Sequence, residues 1–171
     1  YNLFRGAVPE GQDNEAVINR MAELFLAYYD AHMCDCTVPY PGITEMLHKI
    51  SAAGVIPALA SNKYQEGAEK LIKHFFGDIG FLKILGQREG QPIKPDPAIV
   101  HQIMAERPDI QLDEVMYVGD SDVDMKTGAN AAVRTVGVTW GFRSRAELEA
   151  GKPWKIADNA KELAEFILQN D

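Results

Sequence analysis

Val115-Met116-Tyr117-Val118-Gly119-Asp120-Ser121-Asp122-Val123-Asp124 is the stretch that decides how this chain is read. Val115 to Val118 is an unbroken apolar run, as expected of a strand buried on both faces. Gly119 stops the run, lets the chain turn and lets a ligand approach the backbone. Three carboxylates, Asp120, Asp122 and Asp124, then fall within five residues. Like charges this close need a cation or solvent to offset them. Hard oxygen donors suit Mg2+, which keeps several waters and takes only one or two protein carboxylates. Acids are also favoured at a helix N-terminus by the helix dipole. Asp122 fits that plainer role, whereas Asp120, at the strand end, reads as a metal ligand.

The same alternation of buried strand and amphipathic helix extends along the chain. Residues 15 to 33 place Val17, Ile18, Met21, Leu24, Phe25, Tyr28 and Tyr29 at steps of three and four, which predicts a helix. Further helices are expected at 43–53, 66–76, 96–106, 122–132, 144–150 and 159–168. Strands are expected at 55–60, 81–85, 115–118 and 134–138, with a short edge strand at 155–157. Strands separated by helices imply βα units and a parallel sheet, an α/β fold of doubly wound, three-layer type. Ligands in such folds bind beyond the carboxyl ends of the strands.

Two more polar clusters fall at that edge. Ser61-Asn62 follows the strand at 55–60. A hydroxyl there, with backbone N–H groups leading into a helix, makes an anion site; a plain N-cap serine is the alternative. Lys94 lies in Ile93-Lys94-Pro95-Asp96-Pro97, where the prolines stiffen the backbone on either side. A lysine so held can act as a point charge toward phosphate, or be a solvated residue before a helix capped by Asp96.

Composition excludes several classes. The 171 residues suit one domain, burying roughly 70% of its unfolded surface. The formal charge is −8, from 17 basic and 25 acidic residues, and no Lys/Arg cluster tracks a nucleic-acid backbone. No apolar run is long enough to span a bilayer, and no signal peptide stands at the N-terminus. Cys34 and Cys36 are too close in sequence for an unstrained disulfide. With His32 they offer only three soft ligands, so free thiols in a reducing cytoplasm are the better reading. Monomer and homodimer remain open.

Taken together, Ser61, Lys94-Pro95-Asp96-Pro97 and Gly119-Asp120-Ser121-Asp122-Val123-Asp124 resemble the second, third and fourth motifs of the haloacid dehalogenase superfamily, in the same order. Ser61-Asn62-Lys63, Pro39-Tyr40-Pro41-Gly42 and Gly137-Val138-Thr139-Trp140-Gly141-Phe142 look most like its phosphoglycolate phosphatases. The resemblance implies a magnesium-dependent phosphatase acting on a small phosphorylated metabolite through an aspartyl-phosphate. By the same resemblance Asp120 is a metal ligand, and Asp124 is a second ligand or holds the lysine and the metal shell in place. Ser61 and the Asn62 N–H bind phosphate oxygens, and Lys94 bridges phosphate and nucleophile. Dehalogenases need no metal, so Asp120 and Asp124 argue against that branch.

The family's first motif, Asp-x-Asp on the first strand, supplies the nucleophile. Here the two Asp-x-Asp triplets both lie inside the fourth motif, and no strand is expected before residue 15. The chain opens on Tyr1 rather than Met. Residues 1–36 are therefore expected to be the end of a helical cap, and 37–171 a core lacking its central first strand, longer in the natural protein. The resulting expectation is two strand edges facing an empty slot, and no activity from these residues alone. Two other readings stand beside this one. A non-catalytic phosphate- and magnesium-binding module or partner subunit would lack the nucleophile altogether. A receiver domain would need an acidic pair after its first strand and a phosphoacceptor aspartate near Leu85-Gly86, and neither is present.

Overall fold

Asn14 starts the first long helix by accepting a hydrogen bond from the Val17 N–H (3.0 Å), a cap that satisfies one of the orphan donors of a helix start. In the computed structural model, which describes residues 2–9 and 14–169, the chain divides into two compact units, residues 1–38 and 39–171. The first holds α1 (Asn2–Arg5) and α2 (Glu15–His32). Phe4 meets Phe25 edge-on, and Phe25 stacks on Tyr29. Ile18 and Ala22 are buried, but Leu24, Phe25 and Tyr28 of the expected apolar stripe stay exposed.

The second unit carries every strand found among the described residues. Its elements are α3 (Ile43–Ala52), β1 (Leu59–Tyr64), α4 (Gln65–Phe76), β2 (Ile84–Gln87), α5 (Ala98–Met104), β3 (Met116–Gly119), α6 (Asp122–Asn130), β4 (Arg134–Val138), α7 (Arg145–Ala150), β5 (Lys155–Ala157) and α8 (Ala160–Leu168). The expected helices and strands are present, with shifted ends. Ser144 and Asn159, read as first helical residues, are instead N-caps. The strand read as 55–60 begins at Leu59 and runs on to Tyr64. Its ladder does start earlier, since the Leu82 N–H donates to the Pro57 carbonyl (2.8 Å). Proline has no N–H to return, which delays regular pairing.

All pairings are parallel, as α/β alternation requires. They form two sheets: a two-stranded β1-β2 and a three-stranded β3-β4-β5. Among the described residues, no strand pairs with the second edge of β1 or of β3. The larger sheet is covered on both faces, giving three layers. Val136, Val138 and Ala157 pack with Met46 and Ile50 of α3 and Ala160, Leu163 and Ala164 of α8. A second core gathers Leu85 of β2, Ile99 and Val100 of α5, Tyr117 of β3, and Ala131 and Val133. These cores bring the carboxyl ends of β1 and β3 toward one side chain, Lys94, which sets the site. No helix among the described residues is long and apolar enough to cross a membrane.

Candidate active site

Lys94 follows β2 in a loop held from two directions. Asn62, in β1, grips its backbone: the Lys94 N–H donates to Asn62 Oδ1 (3.0 Å), and Asn62 Nδ2 donates to the Lys94 carbonyl (3.3 Å). Asn130, the last residue of α6, donates to the neighbouring Pro95 carbonyl (2.9 Å). The side chain is thereby aimed inward. Its Nζ donates to the Ala60 carbonyl of β1 (3.1 Å) and to Asp124 Oδ1 of α6 (2.7 Å). The two side chains are only 12% and 8% exposed, so this ion pair is largely desolvated.

Every oxygen of Asp124 is engaged. Oδ1 takes the Lys94 ammonium and, at 3.4 Å, the Tyr117 hydroxyl; Oδ2 takes the Ser121 hydroxyl (2.6 Å) and the Asp120 N–H (3.2 Å). Burial works to raise the Asp124 pKa, but the bonds from Lys94 and Ser121 and the Lys94 charge outweigh it, and the carboxyl lies below its ordinary value. Burial likewise works to lower the Lys94 pKa, but Tyr117 and Asp124 hold it above the usual lysine value. Both groups are therefore charged at neutral pH. Gly119 makes this packing possible, because a Cβ there would collide with the Asp124 side chain.

Ser61 sits inside β1, and the N-cap of α4 is Tyr64, which sets aside the alternative of a plain N-cap serine. Its Oγ accepts from the Lys63 N–H (3.1 Å), which leaves the hydroxyl proton for another acceptor. Asp120 is half-buried at the end of β3, and its Oδ2 accepts from the Phe142 N–H (3.0 Å). Among the described residues no donor reaches Oδ1. Asp122 opens α6 and pairs with Lys126 (2.8 Å) on the surface, the plainer role expected of it. Asp96 Oδ1 accepts from the Ala98 N–H at the start of α5 (2.8 Å), although Pro97 occupies the cap position.

The structure thus brings Asn62, Lys94, Asp120 and Asp124 into one connected network, with Ser61 adjacent on β1. No group of three or more His, Cys, Asp or Glu side chains converges as a metal site among the described residues. In particular, His32 is bonded to Asp35 (2.7 Å) rather than grouped with Cys34 and Cys36. Two carboxylates nevertheless match what magnesium asks of a protein. The unengaged Asp120 Oδ1 fits a direct ligand, while the fully engaged Asp124 fits the holding role. Sequence reasoning missed Tyr117 and Ser121, whose hydroxyls complete the shell of Asp124. Tyr117 is the one residue with a polar tip in the run 115–118, and a buried phenol generally needs a partner.

Comparison with known proteins follows the same lines. The family model of haloacid dehalogenase-like hydrolases matches residues 3–138. The chain is 28% identical over 163 residues to a phosphoglycolate phosphatase of Psychrobacter arcticus, covering 95% of this chain and 70% of that one. It is 30% identical to one of Pseudomonas putida, covering 94% and 60%. A crystal structure provisionally assigned as a phosphoglycolate phosphatase, from Lactobacillus delbrueckii subsp. bulgaricus, superposes with a TM-score of 0.83 at 32% identity, covering 95% of this chain and 67% of that one. This chain spans about two thirds of the length of the curated relatives it matches.

Proposed function

The chain belongs to the haloacid dehalogenase-like hydrolase family, and from that premise we propose that it carries most of the catalytic core of a magnesium-dependent phosphatase. Its substrate is a small phosphate monoester of the phosphoglycolate type, the compound for which its relatives are named. The observation that carries the reading is the placement of Lys94. Its ammonium is fixed at 2.7 Å from Asp124 of α6 and 3.1 Å from the Ala60 carbonyl of β1, with its backbone clasped by Asn62 of β1.

In this reading Lys94 neutralises charge on the transferring phosphoryl group and draws the nucleophile toward it. Ser61 donates its free hydroxyl proton to a phosphate oxygen, alongside the Asn62 N–H. Asp124 keeps Lys94 charged and oriented, and Asp120, whose Oδ2 is taken by the Phe142 N–H, would hold the metal. Magnesium, when bound, would supply positive charge that stabilises the transferring phosphoryl group. The nucleophile in this reading is a carboxylate brought beside the Lys94 ammonium. Attack of its oxygen on phosphorus breaks the ester bond and releases the alcohol; water then cleaves the aspartyl-phosphate to inorganic phosphate. Free thiols and an acidic surface suit a reducing cytoplasm.

The test is release of phosphate from 2-phosphoglycolate by the natural-length protein, with and without Mg2+. Asp120→Asn should abolish the Mg2+-dependent turnover while the thermal midpoint stays near that of the wild type. Undiminished turnover in that variant would remove Asp120 from the metal site.

One observation favours a second reading, a phosphate-binding module without turnover: Asp124 is the only carboxylate bonded to Lys94 among the described residues. Phosphate binding by the natural-length protein, with no ester cleaved across a panel of monoesters, would select it.

A further inference from the structure

Asp120 is gripped from a part of the chain that lies outside all three motifs. The loop between β4 and α7 returns to the end of β3, where the Phe142 N–H donates to Asp120 Oδ2 (3.0 Å). The preceding residue is Gly141. A Cβ built there would lie 2.5 Å from Asp120 Cγ, and closer still to its Cβ and Oδ2. Gly141 does not sit in the left-handed region, so its backbone would accept alanine. Proximity alone demands glycine. The Asp120 side chain has two torsions and cannot swing aside without breaking the bond to Phe142. Phe142 lends only its backbone, since the residue is 85% exposed.

We propose that Gly141 and the Phe142 N–H form a positioning element for the metal ligand. The element occupies Oδ2 of Asp120 and so leaves Oδ1 as the oxygen for the cation. This rests on the reading of Asp120 as the magnesium ligand. Magnesium demands near-ideal geometry and releases its waters reluctantly, so a ligand carboxylate in a wandering rotamer binds it poorly. A partner that fixes the second oxygen sets the orientation of the first. Outer partners of this kind are worth about 10- to 100-fold in metal affinity. The glycine lets the backbone donor come close enough, and the hydrogen bond holds the carboxylate once it is there.

The experiment titrates the natural-length protein with Mn2+ alone, following loss of the free-ion electron spin resonance signal, so no turnover is needed. Gly141→Ala should weaken Mn2+ binding about 10- to 100-fold. Phe142→Pro, which deletes the N–H, should weaken it at least tenfold more than Phe142→Ala, which keeps it. Thermal midpoints of the metal-free variants check that each is folded; should Phe142→Pro unfold, Gly141→Ala decides alone. Wild-type affinity in Gly141→Ala, with binding lost in Asp120→Asn, would overturn the positioning element and leave the metal site standing. Equal losses in Phe142→Ala and Phe142→Pro would overturn the backbone role. Wild-type affinity in Asp120→Asn would overturn the metal reading itself and this inference with it.

Discussion

Replacing Lys94 by methionine removes the ammonium from the Lys94–Asp124 pair while keeping an unbranched apolar stem one atom shorter. The Asp124 side chain is 8% exposed, so the variant strands a buried carboxylate. Breaking a buried pair from one side costs about 3–5 kcal/mol. Asp124 keeps Ser121, the Asp120 N–H and Tyr117 as donors, which places the loss near the lower end. The bond to the Ala60 carbonyl (3.1 Å) goes as well, for about 1 kcal/mol more. The expected loss is about 4 kcal/mol, or about 10 °C in the thermal midpoint for a chain of this size. The sign with pH follows from the two shifts. Asp124 is depressed, so its contribution is complete above the unfolded value of about 3.9 and fades as pH falls through the folded value. Lys94 is raised, so its contribution is complete below about 10.4 and fades as pH rises through the folded value. The pair therefore stabilises fully between about pH 4 and 10. In Lys94→Met, burial pushes Asp124 toward the protonated form, so the gap to wild type should narrow as pH falls from 7 toward 4. Urea unfolding in EDTA, which keeps stray divalent cations off Asp124, measures both effects. The double variant Lys94→Met/Asp124→Asn should recover at least half of the loss. A single-variant cost under about 1 kcal/mol, or a double variant as unstable as the sum of its parts, would refute the buried-pair argument.

Three other outcomes are expected. Asn62→Ala removes both side-chain bonds to the Lys94 backbone; it should cost about 1–2 kcal/mol in urea unfolding and lower kcat by more than it raises KM in the phosphatase assay. Leu148 of α7 is fully buried, so Leu148→Ala should lose about 2–5 kcal/mol through the cavity it leaves, also read by urea unfolding. Arg107 bonds Asp109 through two nitrogens (2.9 and 2.7 Å) and holds its carboxyl at about 2; an NMR titration should show that value return to the ordinary carboxylate range in Arg107→Ala.

The sequence made the alternation of elements legible because burial leaves a periodic trace. Arg134–Val138 and Lys155–Ala157 were readable to the residue, one as a buried run and one as a short edge strand. Element ends were less legible where a single atom decides them. The missing N–H of Pro57 delays β1, and the Ser144 and Asn159 side chains cap helices they seemed to begin. Within the candidate site, Ser61, Lys94, Asp120 and Asp124 were picked out by three motifs taken together and the family resemblance they carry; one by one, Ser61 and Lys94 had equally plain readings. The division of labour among the four was not legible. That Asp124 is saturated with donors while Asp120 keeps an oxygen open depends on Tyr117, Ser121 and Phe142 meeting in space. The α2 stripe shows the converse: spacing marks which residues form an apolar face, yet Leu24, Phe25 and Tyr28 are exposed.

The position of Lys94 ties the fold to the chemistry. Among the described residues the β1-β2 and β3-β4-β5 sheets share no backbone ladder, so the elements that carry the site belong to separate sheets. Lys94 Nζ is bonded to Ala60 in one sheet and to Asp124, one helix turn beyond β3, in the other. A charged side chain is a poor substitute for a ladder in stability, since removing two charges from water offsets much of their attraction. It is well suited to neutralising a charge, because the ammonium is already desolvated and oriented by groups of both sheets. The same arrangement explains why Asp124 spends all its oxygens on protein donors. A carboxylate that holds a lysine between two sheets has no oxygen left for another partner, whereas Asp120 keeps Oδ1 without a donor among the described residues.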